Sequence, residues 1–262
     1  MGKRPKRQVI LFLVEGDSER LALRDRIAEF YDNVDESLEV FFPELFLPAN
    51  DPSDPTAKIE TGGDITQRYD VYPGKYDEKI YEYFLRDFFD IEHLLPKDVT
   101  KIIQLVDMDG AYIDDSLITE CDDPSSNSRP VYEESGIVCK RPSSLLGRHR
   151  RKRLNLDYLK TKESIKIKQK TVPFSAYFFS SNLDHFINHT ANLDGREKTN
   201  CAEAFSNGFI GNPEGFAKFF IDDPDAIQGK TYKESWDFIT ELGSLESLHR
   251  HTNINILLEE LL

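Results

Sequence analysis

The chain has 262 residues, of which 39% are hydrophobic, 31% charged and 11% aromatic, and its net charge is −14. This length suffices for one α/β domain with a small appendage, and the aromatic content argues against a disordered chain. No segment approaches the roughly 18 consecutive apolar residues of a membrane-spanning helix, so no membrane partner is expected. The three cysteines lack metal-ligand spacing, and a cytoplasmic location is the default expectation.

The first predicted element is an apolar strand that ends in acidic residues. Residues 9–14 form a continuous apolar run, and Glu15 follows at once, before a Gly-Asp-Ser turn. This pattern predicts a buried strand and then a helix over about 18–32. Glu15 is therefore expected at the carboxyl end of a strand, where open α/β sheets bind their ligands. Glu19 follows four residues later and is either a second ligand or an ordinary surface acid.

A second apolar strand, over 101–106, also ends in acidic residues. Asp107 and Asp109 are two residues apart, so on an extended chain both carboxylates point to the same face. If the two strands are neighbours, Glu15 joins them at one edge of the sheet. Three carboxylates that close cannot all stay ionised without a cation, and oxygen ligands favour Mg²⁺ or Mn²⁺. The alternative is that the Asp-Gly pair simply begins a turn.

Strands and helices alternate along the rest of the chain, which favours an α/β fold with a mostly parallel, four-stranded sheet flanked by helices. The further predicted strands are 38–42 and 172–179, and the further predicted helices are 77–89, 184–190, 213–220, 233–242 and 252–262. Residues 43–75 are interpreted as a long connection, and residues 111–140 as an acidic excursion.

A strongly basic segment contrasts with the acidic remainder of the chain. Between Lys140 and Lys170 there are twelve Lys or Arg residues and only two acids. One or two helices are predicted there, around 145–159. The densest part supplies the candidate nucleic-acid-binding residues Arg148, Arg150, Arg151, Lys152 and Arg153. Such a segment either holds a phosphate backbone or is a solvated face.

Three motifs together resemble one known domain. They are Val14-Glu15-Gly16-Asp17-Ser18-Glu19, then Val106-Asp107-Met108-Asp109-Gly110, and finally Phe178-Phe179-Ser180-Ser181-Asn182-Leu183-Asp184-His185-Phe186. This set is similar to the Toprim domain of topoisomerases, primases and the OLD-type and RloB-like nucleases of bacterial defence systems, and most like the OLD-type and RloB-like branch. The resemblance implies a Rossmann-like Toprim domain over 8–190 with an insertion at about 111–170, followed by a helical C-terminal region over 191–262.

The resemblance also implies a site and an activity. Glu15, Asp107 and Asp109 would be catalytic, and together with Glu19 and Asp184 they would bind one or two Mg²⁺ or Mn²⁺ ions. The family has Glu where this chain has Asp184, and Asp184 is also a candidate helix N-cap. The expected function is that of a metal-dependent endonuclease, a phosphodiester hydrolase acting on DNA or RNA in anti-phage defence.

Two alternatives stay open at the level of sequence. No Walker A motif is present, so a Toprim subunit that is active only with a separate ATPase or other partner is one of them. The apolar C-terminal segment 254–262 makes such a partner, or self-association, plausible. The other alternative is a phosphatase that uses the same carboxylates.

Overall fold

A computed structural model describes residues 7–47, 60–61, 63–121 and 129–260. Parts of the predicted connection 43–75 and of the acidic excursion 111–140, and the last two residues of the predicted C-terminal helix, lie outside the described residues. Among the described residues, no helix has the length and apolar character needed to cross a membrane.

The described residues form ten strands and nine α-helices. The strands are β1 (Gln8–Leu13), β2 (Leu38–Phe41), β3 (Phe46–Leu47), β4 (Glu60–Thr61), β5 (Val99–Asp107), β6 (Ile118–Glu120), β7 (Val131–Glu133), β8 (Gly136–Cys139), β9 (Ser164–Ile167) and β10 (Lys170–Phe179). The helices are α1 (Asp17–Val34), α2 (Tyr76–Ile80), α3 (Arg86–Ile91), α4 (Pro142–Leu159), α5 (Leu183–Asn188), α6 (Gly195–Gly208), α7 (Pro213–Ile221), α8 (Tyr232–Ile239) and α9 (Ile254–Glu259). A π-helical stretch, Tyr81–Leu85, connects α2 to α3.

The main sheet has the strand order β2-β1-β5-β10-β9. The first four of these strands are parallel to one another, and β9 pairs antiparallel with β10 at the edge. The predicted α/β fold with a parallel-rich sheet is confirmed, but the sheet has five strands rather than four. The strand β9 was missed because it is four residues long and lies inside the basic segment. Two small sheets, β3-β4 and β6-β8-β7, lie outside the main sheet.

The sheet is buried on both faces, as its continuous apolar strands require. Successive residues of β1 alternate between two core clusters: Val9, Leu11 and Leu13 belong to one, and Ile10 and Phe12 to the other. Side chains from α2, α3, α4 and α8 complete the first cluster, and side chains from α1, α5, α6, α7 and α9 complete the second. The result is a three-layer arrangement of helices on either side of the sheet.

The C-terminal helices take part in this same core. Trp236 of α8 packs against Phe178 of β10 with ring centroids 4.9 Å apart, while Phe216 and Phe220 of α7 lie in the cluster on the opposite face. Residues 191–260, expected as an appendage, therefore cover both faces of the sheet. The helix α6 was not predicted, because its residues, including many polar ones, give only a weak apolar pattern.

Candidate functional site

The acidic strand ends meet at the point where the strand order reverses. The chain passes from β1 to β2 on one side, whereas β5 pairs with β1 on the other side, so a crevice opens beyond β1 and β5. Glu15 follows β1, and Asp107 is the last residue of β5. Each perturbs the ionisation of the other acids nearby, because Asp107 and Asp109 both raise the pKa of Glu15.

Asp109 lies in a sharp turn after β5. Its φ of 52° is in the left-handed region, which Asp tolerates better than most residues, and Gly110 follows with a φ of 64°. The backbone N–H groups of Asp109 and Gly110 donate to the carbonyls of Ser181 and Ser180, at 2.8 and 3.2 Å. The turn is thereby fastened to the loop after β10, which brings the ends of two strands together.

Glu15 and Glu19 carry buried oxygens with no hydrogen-bond partner among the described residues, at Oε1 and Oε2 respectively. Burial raises the pKa of Glu15 well above its ordinary value, and the nearby Asp64 raises it further. Burial also raises the pKa of Glu19, and the Asp184 carboxylate adds to this effect. Gly16 permits the approach, because a Cβ at this position would lie 2.7 Å from Glu19 Oε2. An unpartnered buried carboxylate is costly unless a proton or a cation neutralises it.

Asp107 is similarly placed. Its Oδ1 accepts a hydrogen bond from the backbone N–H of Leu183 at 3.0 Å. Burial, followed by the charges of Glu19 and Asp109, raises the pKa of Asp107 well above its ordinary value. The acids from the ends of β1 and β5 therefore share one electrostatic environment, as the strand pattern predicted.

A lysine lies in the middle of the acids. Lys152 was predicted to belong to a nucleic-acid-binding surface, but it is fully buried, with its Nζ 2.5 Å from Asp109 Oδ2 and 2.7 Å from Asp64 Oδ2. Burial alone would lower the pKa of Lys152, but the carboxylates of Asp109, Asp64 and Glu15 outweigh it and raise that pKa well above its ordinary value. Lys152 is therefore a permanent cation inside the acidic cluster.

Asp64 belongs to the cluster although the sequence analysis did not single it out. It lies in the predicted connection, where Oδ1 caps a short helix by accepting the Thr66 N–H at 2.7 Å. The Gly63 N–H donates to the Glu15 carbonyl at 2.8 Å, which brings this connection to the end of β1. The sequence signal at Asp64 is that of a helix cap, so nothing local indicated its second role.

Asp184 has a different role from the helix cap considered from the sequence. The cap of α5 is Asn182, whose Oδ1 accepts the His185 N–H at 2.8 Å. Asp184 is buried, and its Oδ2 lies 2.5 Å from Lys198 Nζ. Lys198, on the unpredicted helix α6, is thus a second cation of the site.

The predicted basic segment forms the single helix α4 and then β9. Arg150 and Arg151 are exposed, whereas Arg148 and Arg153 are half-buried. Arg151 Nε donates to the Gln67 carbonyl at 2.8 Å, and the Gln67 side chain donates to Asp109 Oδ2 at 3.1 Å. The exposed arginines therefore lie beside the acidic cluster on the helix that supplies its buried lysine.

The cluster opens to solvent on one side. The side chains of Asp109 and Asp64 are 22% and 14% exposed, whereas Glu19, Asp107 and Asp184 are buried. The oxygen-only donor set suits Mg²⁺ or Mn²⁺, and the unpartnered oxygens of Glu15 and Glu19 are free to accept such an ion. The predicted acids do not by themselves bring three ligand atoms within 4.8 Å; among the described residues, Glu246, His249 and His251 do.

The fold and the site thus define a three-layer α/β protein with an acidic cluster at the carboxyl edge of its parallel strands. In comparisons with known proteins, no family model matches the chain, and no curated protein or solved structure matches it either.

Proposed function

We propose that this protein is a metal-dependent nuclease of the Toprim kind, which hydrolyses phosphodiester bonds of DNA or RNA. The observation that carries the proposal is the convergence of acids from separate strand ends at the switch point of the sheet, where Glu15 and Glu19 keep buried, unpartnered oxygens. Protein sites that combine several carboxylates with a missing positive charge are typical of Mg²⁺ binding.

The residues that would hold the metal are Glu15, Asp107 and Asp109, with Glu19 next to them. Asp184 can join only if its ion pair with Lys198 opens. A bound divalent ion lowers the pKa of a water molecule and neutralises charge on a phosphate, which is the chemistry that hydrolysis needs. The role of Lys152 is to position Asp109 and Asp64, because its ammonium contacts both carboxylates.

A polymeric substrate is favoured by the helix α4. This helix places the exposed Arg150 and Arg151 next to the cluster, so that a phosphate backbone can contact the arginines while one phosphate reaches the acids. The phosphatase alternative lacks this support. A role in anti-phage defence follows from the motif resemblance alone.

The alternative function, a Toprim subunit that is active only with an ATPase or other partner, is favoured by one specific observation. Lys152 and Lys198 already neutralise Asp109 and Asp184, so two of the candidate ligands are held by ammonium groups. A partner that moves α4 or α6 would release those carboxylates for metal binding.

The decisive experiment is a cleavage assay of the purified full chain with Mg²⁺ or Mn²⁺ on supercoiled plasmid, single-stranded DNA and total tRNA. The variants Glu15→Gln and Asp107→Asn keep the side-chain shape and remove a charge. Asp17→Asn is the matched control, because it removes an exposed carboxylate from the same turn. p-Nitrophenyl phosphate serves as a small-ester substrate.

The proposal predicts metal-dependent cleavage of one polymer that falls on the order of 100-fold or more in Glu15→Gln and Asp107→Asn and persists in Asp17→Asn. Hydrolysis of the small ester without polymer cleavage would identify a phosphatase instead. If folded protein cuts nothing with either metal, the stand-alone nuclease is wrong, and activity that returns with a co-purified partner would establish the alternative.

A further inference from the structure

A second candidate metal site lies in the C-terminal part of the chain, apart from the carboxylate cluster. Glu246 lies on the short helix Leu245–Leu248, and His249 and His251 follow it. One ligand atom from each of these three residues lies within 4.8 Å of the others. Glu246 Oε2 is 2.6 Å from His251 Nε2 and 3.4 Å from His249 Nδ1.

The backbone around this group holds both imidazoles on one side. His249 is extended, with φ −75° and ψ 174°, so the side chains of His249 and His251 share a face and Arg250 points away from them. The guanidinium of Arg250 is buried against Asp223 and Asp225. Its charge is therefore already neutralised by carboxylates outside the group.

The loop at the end of β10 fixes the position of His251. The His251 N–H donates to Ser180 Oγ at 2.8 Å, and the Ser180 N–H donates to the His251 carbonyl at 2.8 Å. The ring of Phe238 packs edge-on against the His251 ring, with centroids 5.7 Å apart. This ligand is thus preorganised before any ion arrives.

The hydrogen bond at the other ring nitrogen determines which nitrogen of His251 can bind a metal. Nδ1 lies 3.0 Å from the Asp225 carbonyl, which can only accept, so Nδ1 carries the proton. In the neutral imidazole, Nε2 then has a free lone pair directed at the Glu246 carboxylate. Two acceptors at this distance need a positive centre between them. A backbone carbonyl behind the imidazole is the usual outer partner of a metal-binding histidine.

We propose that Glu246, His249 and His251 bind one Zn²⁺ ion, with a fourth coordination position open to solvent. Two imidazoles and one carboxylate suit Zn²⁺ and not Mg²⁺, which prefers oxygen ligands. Tetrahedral zinc separates its ligand atoms by about 3.3 Å. The Glu246–His249 pair already has nearly this spacing, and the Glu246–His251 pair needs to open by about 0.7 Å.

Exposure of the three side chains is compatible with an open site. The side chains of His249 and Glu246 are 44% and 37% exposed, and that of His251 is 18% exposed. An ion can therefore enter from solvent without unfolding of the core. Once bound, it would tie the short helix Leu245–Leu248 to the segment that pairs with the end of β10.

The test uses the untagged full chain, stripped with chelator and kept in excess Mg²⁺ so that oxygen-rich sites are filled. Co²⁺ is titrated while its visible absorption is followed, Zn²⁺ is then added to displace it, and bound Zn²⁺ per chain is measured by equilibrium dialysis. The variants are His249→Ala, Glu246→Gln and His251→Ala. His93→Asn is the matched control, because it removes an exposed histidine from another part of the chain and Asn tolerates its φ of 51°.

We expect one Zn²⁺ per chain and an intense tetrahedral Co²⁺ spectrum in the wild type and in His93→Asn. His249→Ala should weaken binding on the order of 100-fold, since even an outer partner of a metal ligand accounts for 10- to 100-fold. Zn²⁺ should also raise the Tm of the wild type and not that of His249→Ala.

Absence of Zn²⁺ binding up to about 100 μM, or binding unchanged in His249→Ala and Glu246→Gln, would overturn the proposal. In that case the group is an imidazolium–carboxylate pair, in which a proton takes the place of the ion. Because His249 is the most exposed member, its variant keeps the test valid even if His251→Ala does not fold. Persistence of the site in Asp107→Asn would separate it from the carboxylate cluster.

Discussion

Removing the buried ammonium of Lys152 is the most informative perturbation of the carboxylate cluster. The Lys152→Met variant keeps an unbranched side chain of similar length, so the helix packing of α4 is preserved. It removes the cation that contacts Asp109 at 2.5 Å and Asp64 at 2.7 Å. Both carboxylates, and the nearby Glu15, are then left without their counter-charge.

The expected magnitude follows from the burial of the pair. Breaking a buried ion pair by removing one partner destabilises a protein by about 3–5 kcal/mol, because an uncompensated charge remains. Lys152 is fully buried, so solvent does not screen this loss. We therefore expect the free energy of unfolding of Lys152→Met, measured without metal, to fall by that amount.

The metal dependence is the sharper part of this prediction. In Lys152→Met, a divalent ion no longer competes with an ammonium for Asp109, so Mg²⁺ should stabilise the variant more than the wild type. Saturation at about 100 times the dissociation constant corresponds to roughly 2.7 kcal/mol of added stability. The surplus cation would thus restore much of what the substitution removed.

The measurement is urea unfolding with EDTA and then with increasing Mg²⁺. Lys160→Met is the control, because Lys160 lies at the end of the same helix with a partly exposed pair to Asp237 at 3.4 Å, and should cost no more than about 1 kcal/mol. A cost below about 1 kcal/mol for Lys152→Met, or equal stabilisation of variant and wild type by Mg²⁺, would refute the reasoning.

Three further predictions concern neighbouring residues. Burial and neighbouring cations lower the pKa of His149 to about 3, so the stability it supports is complete above the unfolded-state pKa of about 6.5 and is lost as pH falls towards 3, by about 2 kcal/mol at pH 5. His149→Leu should flatten this slope in urea unfolding at pH 7 and pH 5, and an unchanged slope would contradict the neutral buried imidazole. Gly110→Ala should cost about 1–3 kcal/mol in thermal unfolding, because φ is 64° and the new Cβ would lie 2.4 Å from Leu248 Cδ2; a neutral result would contradict the turn. Replacing Arg150 and Arg151 by Ala should weaken DNA or RNA binding and reduce its salt dependence by up to about two phosphate contacts, as measured by fluorescence anisotropy, and an unchanged salt slope would remove α4 from the interface.

Local patterns predicted the central part of the fold. The apolar runs of β1, β5 and β10 are long and bounded by turn residues, so their strands and the α/β class follow from periodicity alone. The placement of Glu15 and Asp107 at the strand ends follows from the same runs. The fourth predicted strand, β2, also pairs as the alternation required, because parallel strands need helical crossovers.

The cations of the cluster could not be found in this way. Lys152 lies within a run of basic residues that has no apolar periodicity to indicate its burial, and Lys198 lies in a helix that was not predicted. Each becomes a partner of an acid only when distant elements pack: Lys152 reaches Asp64 across 88 positions of the chain. A charge run looks the same in sequence whether its members face solvent or a carboxylate.

By itself, the sequence therefore determined the strand pattern, the mixed α/β class and the set of acids at the strand ends, because these depend on residues close together in the chain. Only the tertiary structure decided that Asp64, Lys152 and Lys198 join those acids, that the C-terminal helices cover both faces of the sheet, and that Glu246 meets His249 and His251 at one point. The physical reason is that burial and charge pairing depend on contacts between elements far apart in sequence, whose relative positions no local pattern specifies.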